Sequence, residues 1–307
     1  MTTPHVRRGR LSKKRLAYER FTYLVNPLRS GNNLPERLRN TGLWERLFRA
    51  ADPLRHWYWR AKNIPYAQPA AEDDQSGRAI VDALRRDGIA VCPGFATEEQ
   101  AEELLRSAKR YAKEAAGVDV DALAPQQQAH LNFMGADLDD DDPVMRFMRS
   151  PRLFAIARAH LGFTPRLRRV AFFVNQPQPD LSGHLNYEKH FHIDPHDFRV
   201  LKFFLYLNEV GTDDGPFTYV RGTHYFGRHR GIIPRLPAGA ISTETMARFV
   251  RLDEWLEVTG GPRTGVFAET SGVHRGGRNR AGARLMLVAE YASRHPWVRY
   301  DHDIPKP

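Results

Sequence analysis

The chain has 307 residues, 41% hydrophobic and 27% charged, which suits a globular protein with a sizeable core and at most two domains. Its one cysteine, Cys92, excludes an intramolecular disulfide framework and a cysteine-built metal site, and no run of 18 apolar residues is present to cross a membrane as a helix. The net charge of +10 is uneven: residues 1–62 carry 15 Lys and Arg against 4 Asp and Glu, so the whole basic excess lies in the N-terminal fifth.

In chain order, residues 1–20 read as a basic tail with no apolar stretch of the kind a signal peptide needs, and with the lone cysteine this sets a cytoplasmic expectation. Residues 21–25 form a short apolar anchor and 41–49 an amphipathic helix. Leu54, Trp57, Tyr58 and Trp59, interleaved with Arg55, Arg60 and Lys62, form either an interfacial helix or, the preferred reading, an extension packed over the main body. A Pro- and Ala-rich linker over 65–76 divides a basic, partly helical extension (1–70) from the main domain (71–307). Helices are expected over 77–86, from Thr97 to about 116 with Thr97 and Gln100 as a capping box, and over 151–160. Residues 121–143 read as a loop whose acidic run lacks calcium-loop spacing and suits a solvated face or an N-cap. Strands follow at 89–92, 167–175, 200–207, 217–220, 265–269 and 283–291, with an insertion at about 225–260 that mixes loop and helix. The pattern is mainly β with flanking helices, an antiparallel double sheet.

His192 and Asp194 stand two positions apart, on one face of an extended backbone, and His274 supplies a distant second imidazole. Two imidazoles and one carboxylate form the facial triad of non-haem Fe(II) oxygenases, with coordination positions left open opposite the protein.

The stretch from Asp87-Gly88-Ile89-Ala90-Val91 through His192-Ile193-Asp194, Asp214-Gly215-Pro216, Arg221-Gly222-Thr223-His224 and His274 resembles the phytanoyl-CoA dioxygenase family of Fe(II)/2-oxoglutarate-dependent oxygenases over residues 77–292. Arg221 and Thr223 stand where that family usually has Pro and Ser. The resemblance implies a double-stranded β-helix (jelly-roll, cupin-like) core, Fe(II) held by His192, Asp194 and His274, and 2-oxoglutarate and O2 as co-substrates, with release of succinate and CO2. It assigns Arg284, ten residues past His274, to the distal carboxylate of 2-oxoglutarate. A guanidinium suits that carboxylate, because it gives two parallel charge-assisted hydrogen bonds. In similar halogenases a small residue replaces the carboxylate ligand, so Asp194 argues for hydroxylation or another oxidation instead. Asn175, at a strand end, is a candidate co-substrate contact, and Lys202 either holds a carboxylate in the cavity, pairs with an acid or snorkels outward. Tyr187, His190, Arg275 and Arg278 are candidate substrate contacts, and His224 is expected to stabilise its turn.

The expected activity is therefore hydroxylation of an unactivated C–H bond in a small metabolite. One alternative is an oxygenase whose substrate is carrier-linked or tethered to a macromolecule or anionic lipid and docked through residues 1–62, with nucleic acid the least favoured partner. The other is a non-catalytic binding protein on the same fold.

Overall fold

Helix boundaries fall where capping chemistry puts them in the computed structural model, which describes residues 53–54, 56–66, 75–123, 130–177, 190–194, 196–236, 240–294, 296 and 304. The anchor at 21–25, the helix at 41–49 and Tyr187 lie outside these residues. Helix α1 covers 56–63 and α2 covers Gln75–Asp87. Helix α3, Glu98–Ala116, starts at a full capping box: Thr97 Oγ1 accepts from Gln100 N–H and the Gln100 side chain accepts from Thr97 N–H. It stops at Gly117 in the left-handed conformation, φ +65°. Asp142, last of the acidic run, caps α4 (Pro143–Met148) by accepting from Val144 N–H at 2.8 Å, and Ser107 Oγ donates to its carboxylate. Helix α5 is Pro151–Leu161, ended by Gly162.

Among the described residues nine strands form two antiparallel sheets. They are β1 Ile89–Cys92, β2 His130–Met134, β3 Arg166–Asn175, β4 Leu201–Tyr206, β5 Phe217–Val220, β6 Trp255–Val258, β7 Gly265–Glu269, β8 His274–Gly276 and β9 Arg284–Ala292. The large sheet runs β1-β7-β4-β9-β3-β2 and the small one β6-β5-β8. Period-2 alternation gives the large sheet two different faces. Phe203, Leu205, Leu287 and Tyr291 pack beneath the helices, against residues such as Leu84, Leu104 and Leu153. Phe204, Tyr206, Val266, Met286 and Val288 face the small sheet and meet Phe217, Tyr219 and Val258. The space between the sheets is the jelly-roll interior.

The loop expected over 121–143 differs from the structure, because residues 130–134 form edge strand β2, paired with β3 from His130↔Asn175 to Met134↔Ala171. The segment at 225–260 carries a 3-10 turn at Arg230–Arg235 and helix α6 at Thr243–Ala247, yet its end is β6, an integral strand of the small sheet. Trp59 of α1 is 2% exposed and its Nε1–H donates to Asp197 Oδ1 at 3.2 Å, so the aromatic N-terminal helix does pack on the main body.

Gly88, between α2 and β1, has φ +81°, and a Cβ there would press on the Tyr219 hydroxyl and sit 2.7 Å from His224 Nδ1. Gly88→Ala should cost about 2–4 kcal/mol, from left-handed strain and overpacking. Gly94→Ala, also at positive φ but with nothing within 4 Å, should lose only the backbone part. Urea denaturation of the two variants beside the parent measures the difference.

Candidate metal centre

His192 and His274 are tied backbone to backbone. His192 N–H donates to His274 O at 2.8 Å and His274 N–H donates back to His192 O at 3.0 Å. Asp194 N–H donates to Thr270 O at 3.0 Å, pinning the other end of the His192–Asp194 segment to the turn that leads into β8. These bridges hold residues 82 positions apart in the chain in one register. One ligand atom from each of His192, Asp194 and His274 falls in a group within 4.8 Å, and Asp194 Oδ2 lies 3.6 Å from His274 Nε2.

The protonation chemistry fits a metal. Each imidazole donates Nδ1–H to a backbone carbonyl, His192 to His190 O at 3.3 Å and His274 to Gly272 O at 3.0 Å. That fixes the tautomer and leaves both Nε2 lone pairs available. Burial lowers both imidazole pKa values, that of His274 to about 3 with the neighbouring His192 adding to the effect, so both rings are neutral at physiological pH. Burial pushes Asp194 up, but Lys202 and the surrounding imidazoles outweigh it and hold the carboxyl well below its usual range. Two neutral nitrogens and an ionised oxygen on one side of a shared centre suit a divalent first-row metal.

Lys202 of β4 faces this centre, its Nζ 2.7 Å from Asp194 Oδ2 and 3.9 Å from Glu290 Oε2, so of the readings open for it the structure displays pairing with an acid. Glu290 also takes His196 Nδ1 at 2.8 Å and Arg168 at 3.0 Å. A bulge in β3 between Leu167 and Arg169 turns both Arg168 and Arg169 toward the same carboxylate. Arg284, 1% exposed, shares the inward face of β9 with Met286 and Val288, and its guanidinium donates to Gly215 O. Asn175 is directly across the ladder from Arg284 and is equally buried. Arg275 leaves β8 on the side opposite His274, stacked 4.3 Å over Phe191 and donating to Thr243 Oγ1. Arg278 is half-buried in the turn that the Asp214–Asn279 bridge anchors, and His190 is half-buried beside His192. His224 Nε2 donates to Arg85 O at 3.0 Å, as expected of a turn-stabilising residue.

Sequence reasoning missed the support beneath this centre. Glu269, fully buried at the end of β7, accepts from Arg199 at 2.7 Å, from His160 Nε2 at 2.7 Å and from Ser271 Oγ at 2.7 Å. Thr223 Oγ1 accepts from Val273 N–H at 2.8 Å and donates to Val220 O, so it braces the residue before His274. Burial raises the Glu269 pKa but Arg199 and His160 more than offset it, leaving the carboxyl well below its usual range, while burial beside Arg199 lowers His160 to about 4.

His192→Ala or His274→Ala should weaken Co(II) or Fe(II) affinity by roughly 100-fold or more, whereas His196→Ala, whose ring serves Glu290, should keep most of it, as titration calorimetry would register. Acid should destabilise the fold in two steps. The unfolded chain takes up a proton at His160 from pH 6.5 downward while the folded chain does not until about 4, so this part of stability is complete above 6.5 and is lost across that window. Glu269 has a depressed folded pKa, so its contribution is present above the usual carboxylate value and is lost below it. Melting temperature against pH should show both slopes, with His160→Gln making the upper one shallower.

Comparison with known proteins agrees with this architecture. The crystal structure of EctD from S. alaskensis with 2-oxoglutarate and 5-hydroxyectoine superposes with a TM-score of 0.53 at 20% identity, covering 75% of this chain and 80% of that one. The non-heme alpha ketoglutarate dependent epimerase SnoN from nogalamycin biosynthesis gives 0.51 at 20% identity, over 73% and 85% of the two chains. The carbocyclase SnoK from the same biosynthesis gives 0.51 at 16% identity, over 75% and 88%. At these identities the likeness is one of fold. No curated protein matches the sequence itself. The family profile of phytanoyl-CoA dioxygenase does match, over residues 84–253, more than half of the chain, so this protein belongs to the phytanoyl-CoA dioxygenase family.

Proposed function

We propose that this chain is an Fe(II)/2-oxoglutarate-dependent hydroxylase of a small metabolite, in secondary or lipid-linked metabolism. The observation that carries the reading is the convergence of His192, Asp194 and His274, with both imidazoles held neutral and Nε2-ready by backbone carbonyls. Iron held by His192, Asp194 and His274 would supply O2 activation coupled to conversion of 2-oxoglutarate to succinate and CO2, the chemistry that oxidises an unactivated C–H bond. The chain's own groups do the rest. His192 and His274 offer nitrogen and Asp194 oxygen from one side, leaving the other side open to co-substrate. Arg284, deep on the inward face of β9 with Asn175 across from it, offers the distal carboxylate a charge-assisted fork. Phe204, Phe217, Val266, Met286 and Val288 line the interior and keep water from the reacting centre. Asp194 fills the position that a halide would need, which argues against halogenation and for hydroxylation or another oxidation.

A cytoplasmic setting suits Cys92, whose thiol burial pushes up to about 11 and so keeps unreactive, and no helix among the described residues is long and apolar enough to cross a membrane. A second reading, a substrate tethered to a carrier or an anionic lipid, draws support from the exposed aromatic side chains of α1. A binding protein without turnover leaves the complete triad unexplained.

Anaerobic reconstitution with Fe(II), then addition of 2-oxoglutarate and O2, should release succinate, and a chain that takes up no iron would refute the assignment. Arg284→Ala should raise the half-saturating 2-oxoglutarate concentration by roughly thirtyfold or more, as about 2–5 kcal/mol for losing one partner of a buried charge pair implies. An unchanged requirement would move the carboxylate elsewhere, with Lys202 and Arg169 next to be substituted.

A further inference from the structure

Six large apolar side chains are exposed among the described residues, and five of them gather in one place. Leu54 is 70% exposed, Trp57 67%, Tyr58 45% and Ile64 67%, all within α1 or within two residues of its ends. Phe226, 61% exposed, packs edge-on to His56 of the same helix with ring centroids 5.5 Å apart. Helical spacing explains the arrangement: Trp59 and Asn63 point into the body while 54, 57 and 58 share the outer side. The helix thus has an apolar stripe to spare. Its exposed polar neighbours include basic ones, with Arg60 and Arg85 exposed and Lys62 Nζ 4.6 Å from the Tyr58 ring, and Arg85 approaches the acid Asp82 at 3.7 Å. Between α1, α2, the end of α5 and Phe226 lies a hollow of about 280 Å³ whose lining includes Arg60, Ile64, Arg85, Arg199 and Phe226.

We propose that this face seats the protein on an anionic lipid bilayer. Trp57, Tyr58, Leu54, Ile64 and Phe226 enter the boundary between headgroups and acyl chains, and Arg60 and Arg85 receive a lipid phosphate at the hollow. Trp and Tyr favour that boundary because one end of each ring is apolar and the other wet. Charge complementarity selects this occupant over a neutral one, since the sequence from residue 1 to residue 62, which ends in this helix, carries 15 cationic side chains against 4 acidic ones. The inference stands apart from the chemistry of the metal centre, whose residues it does not involve.

The test uses the full-length chain and sedimentation with vesicles of phosphatidylcholine containing 30% phosphatidylserine, or of phosphatidylcholine alone, at physiological ionic strength. The parent should bind the anionic vesicles at least roughly tenfold more tightly than the neutral ones, and Trp57→Ser/Ile64→Ser should lose roughly tenfold or more of that affinity. Its melting temperature and metal binding should match the parent, because both positions are exposed. Binding undiminished in the variant would assign the interaction to the basic segment alone and overturn the proposal. So would the absence of vesicle binding, or a parent dimer that the variant converts to monomer without any lipid affinity, which would make a second copy the occupant.

Discussion

The reciprocal hydrogen bonds between the main chains of His192 and His274 are the constraint on which the centre depends. Side-chain ligands 82 residues apart have no reason to meet unless the backbones that carry them are in register, and one residue of slip would turn either ring to the wrong face. Neither segment is held by a long ladder. His192 lies in an isolated bridge and β8 is three residues long, so the register has to be fixed from outside. The Asp194 amide bond to Thr270, the Val273 amide bond to Thr223 and the Glu269 cluster supply that restraint, each acting on the turn between β7 and β8.

The Glu269 cluster shows why burial of a charge is tolerable here. A lone carboxylate with no exposure would be neutralised by desolvation, but Arg199 donates to it through two nitrogens and His160, Ser271 and the Tyr225 amide complete its hydrogen bonds. Removal of any one partner leaves the others imperfectly compensated, so the cluster resists local rearrangement more than an apolar contact of equal size would. That rigidity is passed to the turn carrying His274 through Ser271 and Gly272, both bonded back to Glu269.

Much of this was legible in the residues. The capping box at Thr97, the glycine stops at 117 and 162, and most strands follow from local chemistry, which acts over three or four positions. His192, Asp194 and His274 were legible as a group because metal ligation needs particular side chains at particular spacing, and the inward face of Arg284 was legible because it alternates with Met286 and Val288 along one strand. Strand β2 was hidden because His130–Met134 is short, follows a polar glutamine run and precedes acidic residues, so its pairing with β3 is decided by the neighbour's apolar face. Glu269, Arg199 and His160 were hidden for a different reason. Each lies on a separate element, and a long-range charge cluster leaves no periodic mark in the sequence.

The departure at Thr223 makes the same point from the other side. Where relatives usually carry Ser, this chain keeps the hydroxyl, and the hydroxyl is what the turn uses: it accepts from Val273 and donates to Val220. The added methyl group is accommodated in a site with no exposure. Arg221, in place of Pro, keeps an amide that Pro would lack, and that amide donates to Glu254 O at 2.9 Å while its side chain approaches the Glu254 carboxylate. This turn is therefore tied to the segment just before β6, and β6 pairs with β5, which carries Phe217 against His274. A residue that looks like a loss of motif in the linear sequence is, in three dimensions, an added fastening between the 225–260 segment and the strand that packs on the His274 ring.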